Sequence, residues 1–549
     1  MQVMAIMSTA FSLFSMGLYT PPASAQFLHL LEAGETTLEE VLGCEETLAQ
    51  ARKGCQPLLQ LYSLPSFTQE RLQALLALLL SEPPEDCSYD RGHKCPFVAC
   101  ELLSPAVPEV LEKLLACPAA LSTLLTYLDL PVTNLTSAAY FATVVSALLC
   151  KAPKQVYELI YKDNHLPLAL ARNLHSRSLA DCLLKLLTLD SAASGHYLPE
   201  RTEVVKALVG NIGKGRELAE TVHSAMLLCE LVKGLEVKGW KLMVAAVVQQ
   251  AELETLFEAI DAGEASGVAA LQVLNALLSC ESLCEICEIN LPKVLSILRS
   301  LTPTPDSPIE DVDNALVPLL FTHLPSILHK LQGDFPAVGP LRLQICELMD
   351  LMLRQKSPAF EKVIIQAKGL QYATELFFKY PLNSILQLEF EGLVRTVVEK
   401  ASVEVQKHVI LEVELPLRLG NACENAKIAN SGVFNMGFIT RIAAFLKEKA
   451  GEMSFWPKNE LWERYLEGYF AAETELESKS IGNPPEAWGT LHSDEEEDVD
   501  CEIHFTSLID PNPVLIQAAP HTVPLPCSVY SSFLYWKVPV RTQELEELM

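Results

Sequence analysis

The feature that most constrains this chain is a helical rhythm of leucines that stops and restarts many times. Leu111, Leu114 and Leu115 share one helix face, and Pro118 interrupts them. Leu121, Leu124, Leu125 and Leu128 begin another face, and Tyr140, Phe141, Val144, Val145 and Leu148 repeat it. Leu179, Leu183, Leu184 and Leu187 follow, and the same i, i+3, i+4 spacing returns at 271–278, 341–353 and 393–398. A helix that is apolar over a broad face has to bury it against neighbours. Many such helices joined by short turns, at an irregular period of roughly 40 residues, predict stacked helical pairs. The expected fold is therefore all-α: an irregular HEAT/armadillo-like helical-repeat solenoid, with a globular α-bundle as the competing arrangement. Alternating strand patterns are rare before residue 501.

With 549 residues the chain exceeds what one compact core usually fills, which suits an elongated array. Its 41 Lys and Arg against 69 Asp and Glu give a formal charge of −28. That field repels a phosphate backbone, and no Lys/Arg-rich run offsets it, so nucleic acid is not an expected partner. The 16 cysteines are scattered through apolar helical segments, as at Cys150, Cys182 and Cys229. They read as reduced thiols serving as small core residues, which implies a cytoplasmic location, with the nucleus also open. Beyond the N-terminus, no stretch has the ~20 apolar residues of a membrane span.

The two ends differ from the middle. Residues 1–27 are apolar and begin with a stripe of Met4, Met7, Phe11, Phe14 and Leu18 opposite Ser8, Ser12 and Ser15. This predicts an amphipathic capping helix. A signal peptide is the competing reading: Ala23-Ser24-Ala25 has the small residues of a cleavage site, but the first basic residue is Arg52. Residues 301–313, rich in Pro and Asp, predict a connector. Residues 491–500 form an acidic linker, in which Ser493 precedes an Asp/Glu run that suits an acidophilic kinase. A plain solubilising linker explains that run equally well. From 501 to 549 proline is frequent and helical spacing is lost, which predicts a less regular tail.

Catalytic and metal constellations were sought in the sequence. Cys280, Cys284 and Cys287 have the spacing of an iron–sulfur ligand set, but they follow a helical segment, where i, i+4 and i+7 simply share a face. Cys87, His93, Cys95 and Cys100 lack the paired knuckles of a zinc site. Gly210, Gly213 and Gly215 with Lys214 lack the phosphate-loop spacing and read as a turn. His165, His175 and His223 have no placed nucleophile or acid beside them, and Glu39 and Glu40 diverge on a helix and read as solvated face. No catalytic residue, metal or cofactor is expected.

Four segments, in order along the chain, are similar to one family. Thr36-Thr37-Leu38-Glu39-Glu40-Val41-Leu42 is the first, and its Thr-x-x-Glu spacing is also a capping box. Glu82-Pro83-Pro84-Glu85-Asp86, followed by Lys94-Cys95-Pro96-Phe97-Val98-Ala99-Cys100-Glu101, is the second. Pro96 there has the place of a first-turn proline opening a helix. The third is Pro340-Leu341-Arg342-Leu343 with the run Leu376 to Leu386 (LFFKYPLNSIL), in which Asn383 can cap a helix. The fourth is Met436-Gly437-Phe438-Ile439-Thr440-Arg441-Ile442-Ala443 with Trp462 and Tyr465. Together they resemble the SAPS-domain family, the phosphatase-associated proteins. Cys95, Leu382, Ser384 and Phe438 depart from the family pattern.

The resemblance implies a SAPS-like helical-repeat domain over residues 28–490. It implies a regulatory scaffold that binds the catalytic subunit of a protein phosphatase 6-type Ser/Thr phosphatase, with a third scaffold subunit as a further partner. An unrelated armadillo-like adaptor for protein interaction or trafficking is the rival expectation. Under the resemblance the informative, partner-binding positions are Pro83, Pro84, Glu85, Asp86, Glu101, Asn383, Thr440 and Arg441.

Overall fold

The computed structural model describes residues 23–32, 36–60, 65–84, 86–129, 134–162, 165–188, 197–213, 215–234, 238–280, 316–428 and 435–478. The stripe at residues 4–18, the 301–313 connector, Lys214, Glu85, Cys284, Cys287, the acidic linker with Ser493 and the 501–549 tail lie outside them. Among the described residues the regular structure is helical, with no strand. The chain divides into two compact units, residues 1–413 and 414–549.

The first unit opens with short helices whose ends are fixed by side chains. Ser24 Oγ accepts from Phe27 N–H at 3.1 Å and starts α1 (Ala25–Glu32), so the small-residue triplet at 23–25 is a helix start. Of the two capping boxes the sequence allowed, Thr37 and Glu40 form the real one, opening α2 (Leu38–Gly43). Next come α3 (Thr47–Arg52) and α4 (Pro65–Leu80). A π-turn at Asp90–Lys94 then runs without a break into α5 (Cys95–Leu102). Pro96 thus sits inside a continuous helical run instead of opening one. A proline ring crowds the carbonyl four residues back, here that of Gly92, and the wider π-turn relieves that crowding.

A ladder of helices follows: α6 (Leu135–Lys151), α7 (Arg177–Thr188), α8 (Leu198–Gly210), α9 (Leu218–Lys233), α10 (Gln250–Ala262), α11 (Glu264–Ser279), α12 (Leu316–His329), α13 (Gly339–Arg354), α14 (Pro358–Gln366) and α15 (Ser384–Lys400). One layer is α4, α6, α7, α9, α11, α13 and α15, each packed on the next. A second layer, α8, α10, α12 and α14, packs in the same order and backs onto the first. From α6, successive rungs of the first layer start 42, 41 and 46 residues apart, and α15 starts 45 after α13. This is the two-layered helical-repeat arrangement that the leucine rhythm predicts. Each rung contributes a fully buried apolar side chain, for example Leu148, Leu183, Leu228, Leu274, Met349 and Leu393. Where α10, α11 and α13 meet, a Cβ at Gly267 would stand 3.1 Å from the Ile260 carbonyl oxygen and 3.0 Å from the Leu341 side chain, so the absence of a side chain there lets the helices sit this close.

Asn134 caps α6, accepting from Thr136 N–H at 2.8 Å and Ser137 N–H at 3.2 Å. Asn134→Ala should lower the stability of the chain by ~1 kcal/mol. A urea unfolding midpoint that does not move would show that the cap contributes nothing.

The second unit contains α16 (Leu415–Ile428), α17 (Met436–Ala450) and α18 (Glu460–Tyr465), followed by a π-turn at Leu466–Phe470. Helix α16 packs on both α17 and α18. Trp462, Tyr465 and Phe470 form a buried aromatic run with ring centroids 5.5 and 6.2 Å apart. The W-x-x-Y signature is therefore core of this unit.

Candidate functional site

Three places in the chain carry the expected partner-binding residues. The first is the loop after α4 and the helical run that follows. Cys87 N–H donates to the Pro84 carbonyl at 3.1 Å and closes a turn. This loop folds over Gly92, where a Cβ would meet Cys87 Sγ at 3.1 Å and Pro83 Cβ at 3.9 Å. Pro83 is half-buried, whereas Pro84 and Asp86 face solvent. Glu101 does not face outward alone: its carboxylate pairs with Arg52 at 2.5 Å and ties α5 to α3. Arg91 pairs with Glu39 at 2.7 Å and ties the π-turn to α2, so Glu39 is engaged and not merely solvated.

This region also presents aromatics that the motif reasoning passed over. Tyr89 is 75% exposed and its ring lies tilted against that of His93, with ring centroids 5.1 Å apart. Phe97, two further steps of four along the run, is 49% exposed. The signal was present in the sequence as an aromatic ring at every fourth position.

Asn383 begins α15, the last rung of the ladder. Its Oδ1 accepts from Leu386 N–H at 3.0 Å, so it is a helix cap, and Leu382 beside it is 76% exposed. Thr440 and Arg441 lie in the second unit, on α17. Thr440 is buried, and its hydroxyl has no hydrogen-bond partner. Arg441 is exposed, with its guanidinium 4.5 Å from the Phe438 ring centroid, a cation–π contact within the helix. Within the first unit, the 83–101 group and Asn383 stand at opposite ends of the ladder and do not converge on one spot.

The polar residues weighed for chemistry have structural places. His223 Nδ1 lies 2.6 Å from the Leu174 carbonyl oxygen, across two rungs. Cys280 ends α11 in an extended conformation, so the helical face proposed for the three-cysteine spacing does not pass through it. Cys95 and Cys100 are buried, and burial pushes the Cys100 thiol up to about 12. Among the described residues no three His, Cys, Asp or Glu groups are placed to hold a metal ion. Among them, too, no single helix is long and apolar enough to cross a membrane.

These features define a class: a helical-repeat protein whose informative residues shape and present surface. No family model matches the chain. It is 24% identical over 459 residues to Serine/threonine-protein phosphatase 6 regulatory subunit 3 of Gallus gallus, covering 75% of this chain and 52% of that protein. It is 24% identical over 397 residues to regulatory subunit 2 of Homo sapiens, covering 68% and 40%. It is 24% identical over 551 residues to human regulatory subunit 1, covering 87% and 60%. The chain is thus similar, at low identity over most of its length, to the phosphatase 6 regulatory subunits, in line with the resemblance of its SAPS-type motifs. It spans about half the length of the curated relatives it matches.

Proposed function

We propose that this chain is a regulatory scaffold subunit that holds a protein phosphatase 6-type Ser/Thr catalytic subunit on its helical-repeat surface and directs it to substrates or locations. The observation that carries this reading is the similarity to three distinct phosphatase 6 regulatory subunits across most of the chain. On this reading the chain itself is not an enzyme, and the chemistry of dephosphorylation belongs to the partner. A third scaffold subunit is a further expected partner, and a reducing compartment, cytoplasmic or nuclear, suits the free thiols of buried residues such as Cys182 and Cys346.

The exposed surface around Pro84, Asp86, Tyr89 and Phe97 and the exposed Arg441 are the first places to probe. Purified phosphatase 6-type catalytic subunit should bind the immobilised full-length chain, and absence of binding overturns the proposal. Arg441→Glu should weaken that binding at least ~10-fold through a reversed charge at the contact, with the helical circular dichroism unchanged. Unaltered affinity would remove Arg441 from the interface.

A further inference from the structure

The helical run from Tyr89 to Leu102 is pinned on one side and bare on the other. On the pinned side Arg91 pairs with Glu39, Cys95 Sγ donates to the Glu39 carbonyl at 3.6 Å, and Gly92 lies against Pro83 and Cys87. Val98, Ala99, Cys100 and Leu102 are buried. Tyr89, His93 and Phe97 are all exposed. Steps of four keep these three in one row through the π-turn and into α5. Among the side chains described, no other Tyr, Phe or Trp is exposed.

A bare aromatic ring forgoes the apolar burial that a core or an interface gives it, and an ordered backbone behind it lowers the entropy cost of a contact. The row is therefore a ready contact surface, and its surroundings decide what fits. A helix face has no unpaired backbone groups to hold an extended segment, but it can take the ridges of another helix. Phe97 follows Tyr89 by eight residues, about 12 Å along the run, which is two turns of such a helix.

Charge gives the row a direction. Asp86 and Asp90 flank its Tyr89 end; both are exposed, and neither forms an ion pair among the described residues. Lys94 is half-buried and stands one turn before Phe97. A cation is therefore favoured at the Tyr89 end, where the ring face attracts it as well, and an uncharged side chain at the Phe97 end. We propose that Tyr89, His93 and Phe97, with Asp86 and Asp90, dock an amphipathic helix of a protein partner. That helix sets a basic side chain against Tyr89 and a leucine-like side chain against Phe97. The surface keeps this chemistry whichever protein carries the helix, and whether or not the chain binds a phosphatase.

The probe is a short, labelled helical peptide with leucines along one face and arginines along one flank. Its counterparts carry citrulline for arginine, or alanine for leucine. Each is titrated by fluorescence anisotropy, at fixed ionic strength, against the full-length chain. The wild type should bind the leucine–arginine peptide at least ~10-fold more tightly than either counterpart. Tyr89→Ser/Phe97→Ser and Asp86→Asn/Asp90→Asn should each lose at least ~10-fold of that affinity. Their circular dichroism and melting temperature should match the wild type, since all four side chains are exposed. Leu382→Ser removes an exposed leucine at the far end of the ladder and should bind the peptide as the wild type does. No binding to the wild type, or equal binding by the two double variants, overturns the proposal. So does an equal loss in Leu382→Ser, or equal affinity for the citrulline or alanine peptide.

Discussion

Glu389→Gln is expected to stabilise the chain by about 3 kcal/mol at pH 8 and to leave it nearly unchanged at pH 4.5. The folded-state carboxyl titrates at about 7, against an ordinary value of 4.5. Between those values the folded chain keeps a proton that the unfolded chain has released. Stability therefore falls as pH rises through this window and levels off above it. Glutamine mimics the protonated form and removes that fall. Glu347 shifts in the same direction, so a Glu347→Gln/Glu389→Gln double variant should give the flatter profile. Urea unfolding at pH 4.5, 6 and 8 measures the gap. A gap that does not widen with pH would mean that neither burial nor the acidic neighbours hold the proton on Glu389.

Gln387→Leu should destabilise the chain by ~2 kcal/mol although it nearly conserves volume. Gln387 is fully buried. Its Nε2 donates to the Phe377 carbonyl at 2.8 Å and to the Tyr380 carbonyl at 3.1 Å. The Phe377 carbonyl lies in the last turn of the helix at Gly369–Lys379, and the residue four further on is Pro381, which has no N–H to offer it; the Tyr380 carbonyl also accepts from Asn383 N–H at 3.1 Å. Leucine leaves the Phe377 carbonyl buried and orphaned, at ~1–3 kcal/mol, and takes the second donor from the Tyr380 carbonyl. Asn383→Ala, which removes the cap on the other side of the same turn, should lose only ~1 kcal/mol. Chemical denaturation of the two variants separates the effects, and a leucine variant as stable as wild type would mean that water serves the carbonyls.

Much of the fold was legible because it rests on local rules. The leucine spacing gave the rungs, the Thr37–Glu40 box and Asn383 gave helix starts, and Pro118 marked a new helix as expected. Pro96 misled because a first-turn proline and a proline behind a π-turn look alike in sequence, and the wider turn depends on room at Gly92. Glu101 looked like an outward-facing motif residue, but its partner Arg52 lies 49 residues away. The effect of Glu347 on Glu389 had no local signal either: the two meet only because α13 and α15 are neighbouring rungs. Cys280 misled for a different reason, since a spacing that fits a helix face says nothing about where the helix stops. The expected binding positions divided along the same line. Asn383 proved to be a cap and Thr440 a buried side chain, whereas Pro84, Asp86 and Arg441 remain on the surface.

The ladder also bears on how the polypeptide is made. Each rung of the first layer finds its apolar cover on its immediate neighbours, the rungs just before and just after it. A nascent chain leaving the ribosome can therefore settle helix upon helix, without waiting for its C-terminus, and at any moment only the newest rung has a bare greasy side.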